Sequence, residues 1–168
     1  MANVKISELL EAGVLDGLED LPLVQDGVTV RCSTQDIADL ACKTVKVSIS
    51  SAEILNLNSA PKQLIPAPGA GKFILPLRVI IQGNYNTSTY ATNTNLQFAP
   101  NTLFQTNFSA ALGFTADQLA TYTLTTNAGT SSPENTINQP INIFALAGNP
   151  TDGDGTIDVY VSYIIVTL

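Results

Sequence analysis

The sequence predicts a mainly β protein: an antiparallel β-sandwich or jelly-roll-like domain preceded by a small α+β N-terminal anchor segment. Three observations carry that expectation. From Lys43 onward, apolar and polar residues alternate in short runs, the period-2 pattern of strands with one buried face. Clusters of Gly, Pro, Asn and Asp separate those runs where the chain must reverse. Helical patterns are few, which argues for antiparallel layers and against a βαβ fold. The character of the chain changes near residue 43, so residues 1–43 are read as one segment and 44–168 as the β domain.

Within the first segment, Ser7-Glu8-Leu9-Leu10-Glu11-Ala12 combines good helix formers with a capping serine and Gly13 as a stop. Leu21–Gln25 and Val28–Val30 read as two short strands around Asp26-Gly27, the dipeptide a type I′ hairpin turn requires. A second helix follows. Ser33 or Thr34 can cap it, Asp36 falls in its first turn, and Ile37, Leu40 and Ala41 recur at helical spacing. So small a segment buries too little to stand alone and is expected to dock on something.

In the β domain, Thr44–Ser50 alternates cleanly, with Val45, Val47 and Ile49 on one side. Phe73–Ile81 is a longer apolar run in which Pro76 lacks an N–H, the mark of an edge or a bulge. Leu96–Phe98, Tyr122–Thr125, Ile141–Leu146 and Ile157–Val166 complete the strand set. Thr115–Ala120 reads as one helical turn, with Thr115 and Gln118 at capping-box spacing. Turns are expected at Ala67–Gly71, Gln82–Asn84, Asn127–Gly129 and Asn149–Gly155. The stretch from Asn84 to Thr136 is rich in Asn, Thr, Ser and Gln. It still holds Leu96, Phe98, Phe104, Phe108 and Phe114, so it is read as long loops and short strands rather than disorder.

Composition excludes several kinds of chemistry. The 168 residues include 14 acids, 7 Lys or Arg and no histidine, for a net charge of −7. Without histidine there is no Ser–His–Asp triad, no Cys–His pair and no His-ligated zinc. No Lys or Arg follows Arg78, so most of the β domain cannot neutralise phosphates and no nucleic-acid partner is expected. No apolar run reaches the roughly 18–20 residues of a membrane span, so no membrane partner is expected either. The N-terminus carries acids where a signal peptide needs positive charge, so secretion is not expected. Cys32 and Cys42, ten apart, read as free thiols in a reducing compartment.

The densest carboxylate cluster is Asp152-Gly153-Asp154-Gly155, with Asn149 before it and Asp158 after it. Oxygen ligands at that spacing suit calcium, but the run lacks the full EF-hand spacing and its closing Glu. Two Asp-Gly pairs between strands are already explained as a hairpin turn, so no metal or cofactor is expected. Gly69-Ala70-Gly71-Lys72 looks superficially like a phosphate loop. Pro66 stands where that motif needs its first glycine and Phe73 where it needs Ser or Thr, so the segment is read as a turn. Tyr85, Tyr90 and Tyr122 sit among amide and hydroxyl side chains. They could form a host-surface glycan or subunit contact, although core and loop packing is the simpler account. No convergent acid–base set appears, so no catalytic residue is assigned and an enzyme is not expected. The apolar strand Tyr160–Leu168 would be an aggregation hazard as an exposed edge, so it is expected to be central or covered by a neighbouring subunit.

Ile6-Ser7-Glu8-Leu9, then Leu18–Thr29 and Ser33–Ile37, together resemble a short module of tailed-phage virion proteins that precedes fibre or head-fibre domains. The chain departs from that module at Gly13-Val14-Leu15-Asp16. A second set of stretches, Ala52–Asn58, Leu64–Lys72, Tyr90–Leu96 and Gly153–Val161, is similar to a β domain of phage head and tail proteins. The resemblance implies a non-enzymatic virion structural protein, a head fibre or capsid decoration protein assembled in the host bacterial cytoplasm. It implies attachment to the major capsid protein or another virion protein through Ile6, Leu9, Leu21, Leu23, Val24, Ile37 and Leu40, and a β domain that projects as a homotrimer. The alternative is a tail fibre or tail-adaptor component that binds host-surface glycan. The first segment is acidic overall, so docking through its apolar motifs is expected rather than attachment by positive charge.

Overall fold

The structure, a computed structural model, describes residues 20–34, 37, 42–99, 104–105, 107–123, 125–126 and 136–168. The chain divides into two units, Met1–Cys42 and Lys43–Leu168. In the first, β1 (Asp20–Gln25) and β2 (Val28–Ser33) form an antiparallel hairpin, with Gln25 opposite Val28 and Leu21 opposite Cys32. Asp26 and Gly27 both take positive φ, 50° and 78°. That is the requirement of the expected type I′ turn, whose twist matches that of the strands. Arg31 and Asp20 pair at 2.8 Å, but both are well exposed, so the pair contributes little. The helix expected at Ser7–Ala12 lies outside the described residues. Of the second, Thr34 and Ile37 are helical, and the rest of residues 35–41 lies outside them.

The second unit is mainly β. Its strands are β3 (Lys43–Ile49), β4 (Lys62–Ile65), β5 (Lys72–Asn84), β6 (Leu96–Ala99), β7 (Phe104–Gln105), β8 (Asn107–Phe108), β9 (Gln118–Thr123), β10 (Thr125–Thr126), β11 (Ile141–Ala145) and β12 (Thr156–Thr167). Two four-stranded sheets form, in the orders β3-β12-β5-β9 and β4-β11-β6-β8, and β7 pairs separately with β10. Every pairing is antiparallel. With the short β7–β10 pair set aside, eight strands remain. The first pairs with the last (β3·β12) and the second with the second-last (β4·β11). The third pairs with the sixth (β5·β9) and the fourth with the fifth (β6·β8). This is one long hairpin folded over on itself, the jelly-roll connection.

The core lies between the two sheets. Ile157, Val159 and Val161 of β12 alternate inward, joined by Ile49, Val79 and Ile81. Leu96, Phe98, Ile141, Ile143 and Ala145 close on them from the other sheet. Inner faces that interdigitate in this way make a sandwich core. Phe108 meets Phe98 of its own sheet and Tyr122 of the other, both edge-on.

Pro76 sits where its missing N–H is tolerated. The β5–β12 ladder shifts register between Ser162 and Tyr163, leaving Leu77 as the extra residue of a bulge. The bulge half of the edge-or-bulge expectation therefore applies. The helical turn expected at Thr115–Ala120 is overturned. Gln118–Thr123 is a strand, paired along its whole length with Arg78–Gly83. A six-residue ladder satisfies more main-chain groups than a single turn, and Asp117 accepts the Tyr85 N–H at 2.8 Å. One helix goes unanticipated. In α1 (Ser51–Ile54) the Ser50 hydroxyl accepts from the Glu53 N–H, and the Glu53 carboxylate accepts from the Ser50 N–H. The Ser50…Glu53 spacing is the capping-box signal that would have located it.

Candidate functional site

The acidic turn after β11 is held from below by the loop after β5. The two carboxylate oxygens of Asp154 accept from the Thr87 N–H (3.0 Å), the Ser88 N–H (2.9 Å), the Asn86 amide (2.9 Å) and the Thr87 hydroxyl. These donors hold the Asp154 carboxyl far below the usual carboxylate range, the Thr87 hydroxyl contributing most. Asp152 takes positive φ, and its carbonyl accepts from the Ser88 hydroxyl at 3.1 Å. At the base of the turn the Asn149 side-chain oxygen accepts from the Asn58 N–H (2.9 Å) and the Ser59 N–H (3.1 Å). Position in the sequence gave no signal for these last contacts, since the partners are some 90 residues apart.

Asp158 is likewise occupied. On the outer face of its sheet it pairs with Lys46 at 2.9 Å and accepts from the Ser48 hydroxyl. The Ser48 hydroxyl does most to lower the Asp158 pKa, and the same ion pair raises that of Lys46. Lys46 also lies 5.5 Å from the centroid of the Tyr160 ring. Of the carboxylates weighed as calcium ligands, those of Asp154 and Asp158 are thus hydrogen-bond acceptors within the fold. Among the described residues, no group of three or more His, Cys, Asp or Glu stands close enough to hold a metal.

The turn at Gly69–Lys72 closes with a Lys72 N–H to Gly69 carbonyl bond of 3.3 Å, and the Gly69 N–H donates to the Asn138 side chain at 2.9 Å. Two of the turn's main-chain donors, those of Gly69 and Lys72, are therefore engaged. A hollow of about 500 Å³ beside α1 is lined by Glu53, Asn56, Pro61 and Lys62. Its two charged groups pair with each other, and that contact, with Ser50, holds Glu53 down to about 2.

The three tyrosines are held in different ways. Tyr90 is 3% exposed, and its hydroxyl donates to the Gly155 carbonyl at 2.7 Å. Burial, with Asp154 nearby, pushes its pKa up to about 12. Tyr122 packs on Phe108 and is raised by burial. Tyr85 is half-buried and its hydroxyl donates to the Thr87 carbonyl at 2.7 Å. Each ring therefore has a packing or loop-closing task.

The apolar positions of the first unit behave differently. Val24 is 76% exposed, and Leu21, Val28 and Ile37 are exposed too. Leu23 lies in β1 with its side chain outside the description, and Ile6, Leu9 and Leu40 fall outside the described residues. Cys32 is half-buried, with its Sγ 3.5 Å from the Ser33 carbonyl, and Cys42 is exposed.

No family model matches the chain, and no curated protein matches it. Among solved structures it is similar to a chain titled "Cyanophage Pam1 capsid asymmetric unit" at 15% identity. The match covers 97% of this chain and 98% of that one, with a TM-score of 0.40.

Proposed function

We propose that this chain is a non-enzymatic structural protein of a tailed-phage virion, a head fibre or capsid decoration protein. In this reading the first unit attaches to the major capsid protein or another virion protein. The jelly roll projects from it, and the protein works as a trimer. The observation that carries the reading is the β1–β2 hairpin. It falls where the sequence resembles a virion-attachment module, and it displays Leu21, Val24 and Val28 to solvent. An isolated two-stranded hairpin is marginal in water, and exposed apolar side chains on it gain most from a partner surface. The jelly roll adds a fold-level analogy, since viral capsid domains use it among other proteins. The Asp154 carboxylate in the acidic turn is engaged in holding a loop, which also supports a structural role.

The test is incorporation into particles. Gold-labelled antibody is expected to mark the head, and the double substitution Val24→Asp, Val28→Asp is expected to cut incorporation at least about tenfold, given about 1.5 kcal/mol or more per buried valine. The melting transition of the jelly roll should be unaffected. Absence of the wild-type protein from purified particles would overturn the reading, and label confined to the tail would replace it with a tail-adaptor role.

A further inference from the structure

The geometry points to a binding site for a neutral sugar ring in the hollow where β9 begins beside the end of β5. The inference goes beyond the virion reading and does not depend on it. The hollow measures about 380 Å³, and its described lining is Gln82, Gly83, Asp117, Gln118 and Leu119. That volume falls within the usual range of small-molecule sites, about 300–1,000 Å³. The ladders build it. Leu119 stands opposite Gln82 and Gln118 opposite Gly83, while on the other side of β5 Asp158 stands opposite Gln82. Ile81 and Val159 are buried in the core, so strand alternation turns Gln82 and Asp158 outward. Among the described lining there is none of Tyr85, Tyr90 and Tyr122, the tyrosines weighed for sugar contact.

The polar groups there are held in place before any ligand arrives. The Gln82 amide donates to the Asn84 side-chain oxygen at 3.1 Å, and the Asn84 amide donates to the Thr156 hydroxyl at 3.3 Å. The Tyr160 hydroxyl approaches the Gln82 oxygen at 3.5 Å. A side-chain amide has two N–H donors, so Gln82 keeps one to give. Asp117 accepts the Tyr85 N–H through one oxygen at 2.8 Å, and among the described residues its other oxygen has no partner. Gln118 is exposed at the rim, and Leu119 beside it is 67% exposed. Side chains fixed in advance lose less freedom when a ligand binds.

This set of groups suits a sugar ring. A hydroxyl both donates and accepts, so it is matched by amide N–H groups and a carboxylate oxygen in one hollow. The C–H face of a pyranose is matched by Leu119. Charge selects the neutral sugar. Asp117 is the one charged residue of the described lining, and it is an acid. Lys46, on the same face of the sheet, is already paired with Asp158 at 2.9 Å. The next cation along β5, Arg78, stands four residues from Gln82. That is about 13 Å of strand, beyond a Debye length of about 8 Å in physiological salt. A uronic or sialic acid would therefore meet a carboxylate with no cation in reach. An organic cation would meet a single exposed and screened charge, worth little alone, and would leave the amides unused.

Titration of the isotope-labelled full chain, followed by NMR, tests this. The probes are the methyl glycosides of glucose, galactose, mannose and N-acetylglucosamine, with methyl glucuronide as the acidic control. Single sugar rings bind weakly, so the titration runs to about 10 mM, which covers a Kd of about 1 mM. At least one neutral glycoside is expected to saturate and to move the side-chain amide signals of Gln82 and Gln118. The glucuronide should bind at least about fivefold more weakly than the neutral glycosides that bind, through repulsion by Asp117. Gln118→Ala and Leu119→Ala, both at exposed positions, should each weaken binding about fivefold. Should either variant fail to fold, the signals that move in the wild type locate the site alone. No binding by any of the four neutral glycosides overturns the inference. So does a glucuronide that binds as tightly as they do, a set of saturating shifts confined to other parts of the chain, or an affinity that both substitutions leave unchanged.

Discussion

Gly153 lies flat against the ring of Tyr90: a Cβ at position 153 would stand 2.3 Å from the Tyr90 Cγ. The ring has nowhere to move. It is 3% exposed, its hydroxyl is bonded to the Gly155 carbonyl, and it meets the Phe114 ring edge-on at 6.4 Å. Gly153→Ala is therefore expected to destabilise the jelly roll by about 1–3 kcal/mol, the usual cost of overpacking. A thermal melt reads this directly. An unchanged melting temperature would show that the turn can lift off the ring without loss.

The contrast between this contact and the rest of the fold explains what could be read in the sequence. Val45, Val47 and Ile49 were legible as a strand because a single buried face imposes period 2. The Asp26-Gly27 turn was legible because positive φ is a local requirement. The order of the strands was not, because joining β3 to β12 is decided by contacts more than 100 residues apart. Distance also hid the role of Asp154, which looks like a metal ligand beside Asp152 until Thr87 and Ser88, 66–67 residues away, occupy it. Thr115–Ala120 misled for the converse reason: its local capping pattern was real as a spacing but lost to the ladder with β5. Tyr90, in a polar stretch, carried no local sign that it would be buried under the turn.

Acid should loosen the turn and the helix cap together. The carboxyls of Asp154, Asp158 and Glu53 are all held below their ordinary values by hydrogen bonds or ion pairs in the fold. Groups depressed in this way contribute stability that is present above the unfolded-state pKa and lost as pH falls through the folded one. For Glu53 the window runs from 4.5 down to about 2. These three groups therefore predict a melting temperature unchanged by them from pH 7 to pH 5 and falling below about pH 4.5. Asp154→Ala should also speed exchange of the Thr87 and Ser88 amides on the order of tenfold at neutral pH, since each loses a charged acceptor. A variant with unchanged amide protection would mean that the loop is held by other contacts.

Calcium should leave the protein unmoved. The Asp154 oxygens already accept four donors, and Asp158 is shared between Lys46 and Ser48. A cation would have to displace these bonds before gaining ligands of its own. Melts in excess calcium and in excess chelator are expected to superimpose. A site occupied at a hundred times its Kd would instead add about 2.7 kcal/mol, a shift easily seen. Such a shift, saturating with calcium, would reverse the reading of the acidic turn.

Phe108 is the place where one ring holds the two sheets in contact. It is 1% exposed, lies 4.9 Å from Phe98 in its own sheet, and lies 4.8 Å from Tyr122 in the sheet opposite. Its strand, β8, has only two residues, so the ladder with β6 at Leu96 and Gln97 is too short to fix it without the side chain. Phe108→Ala should therefore cost about 3–5 kcal/mol, combining lost burial with the cavity left between the sheets. Phe108→Leu keeps most of the volume and loses chiefly the ring–ring contacts, each worth about 0.5–1.5 kcal/mol, so it should fall well short of that loss. Urea denaturation of the two variants separates the effects. If the leucine variant were as unstable as the alanine variant, the edge-on geometry rather than the filled volume would be what joins the sheets. If both were near wild type, β8 would be held by its backbone alone.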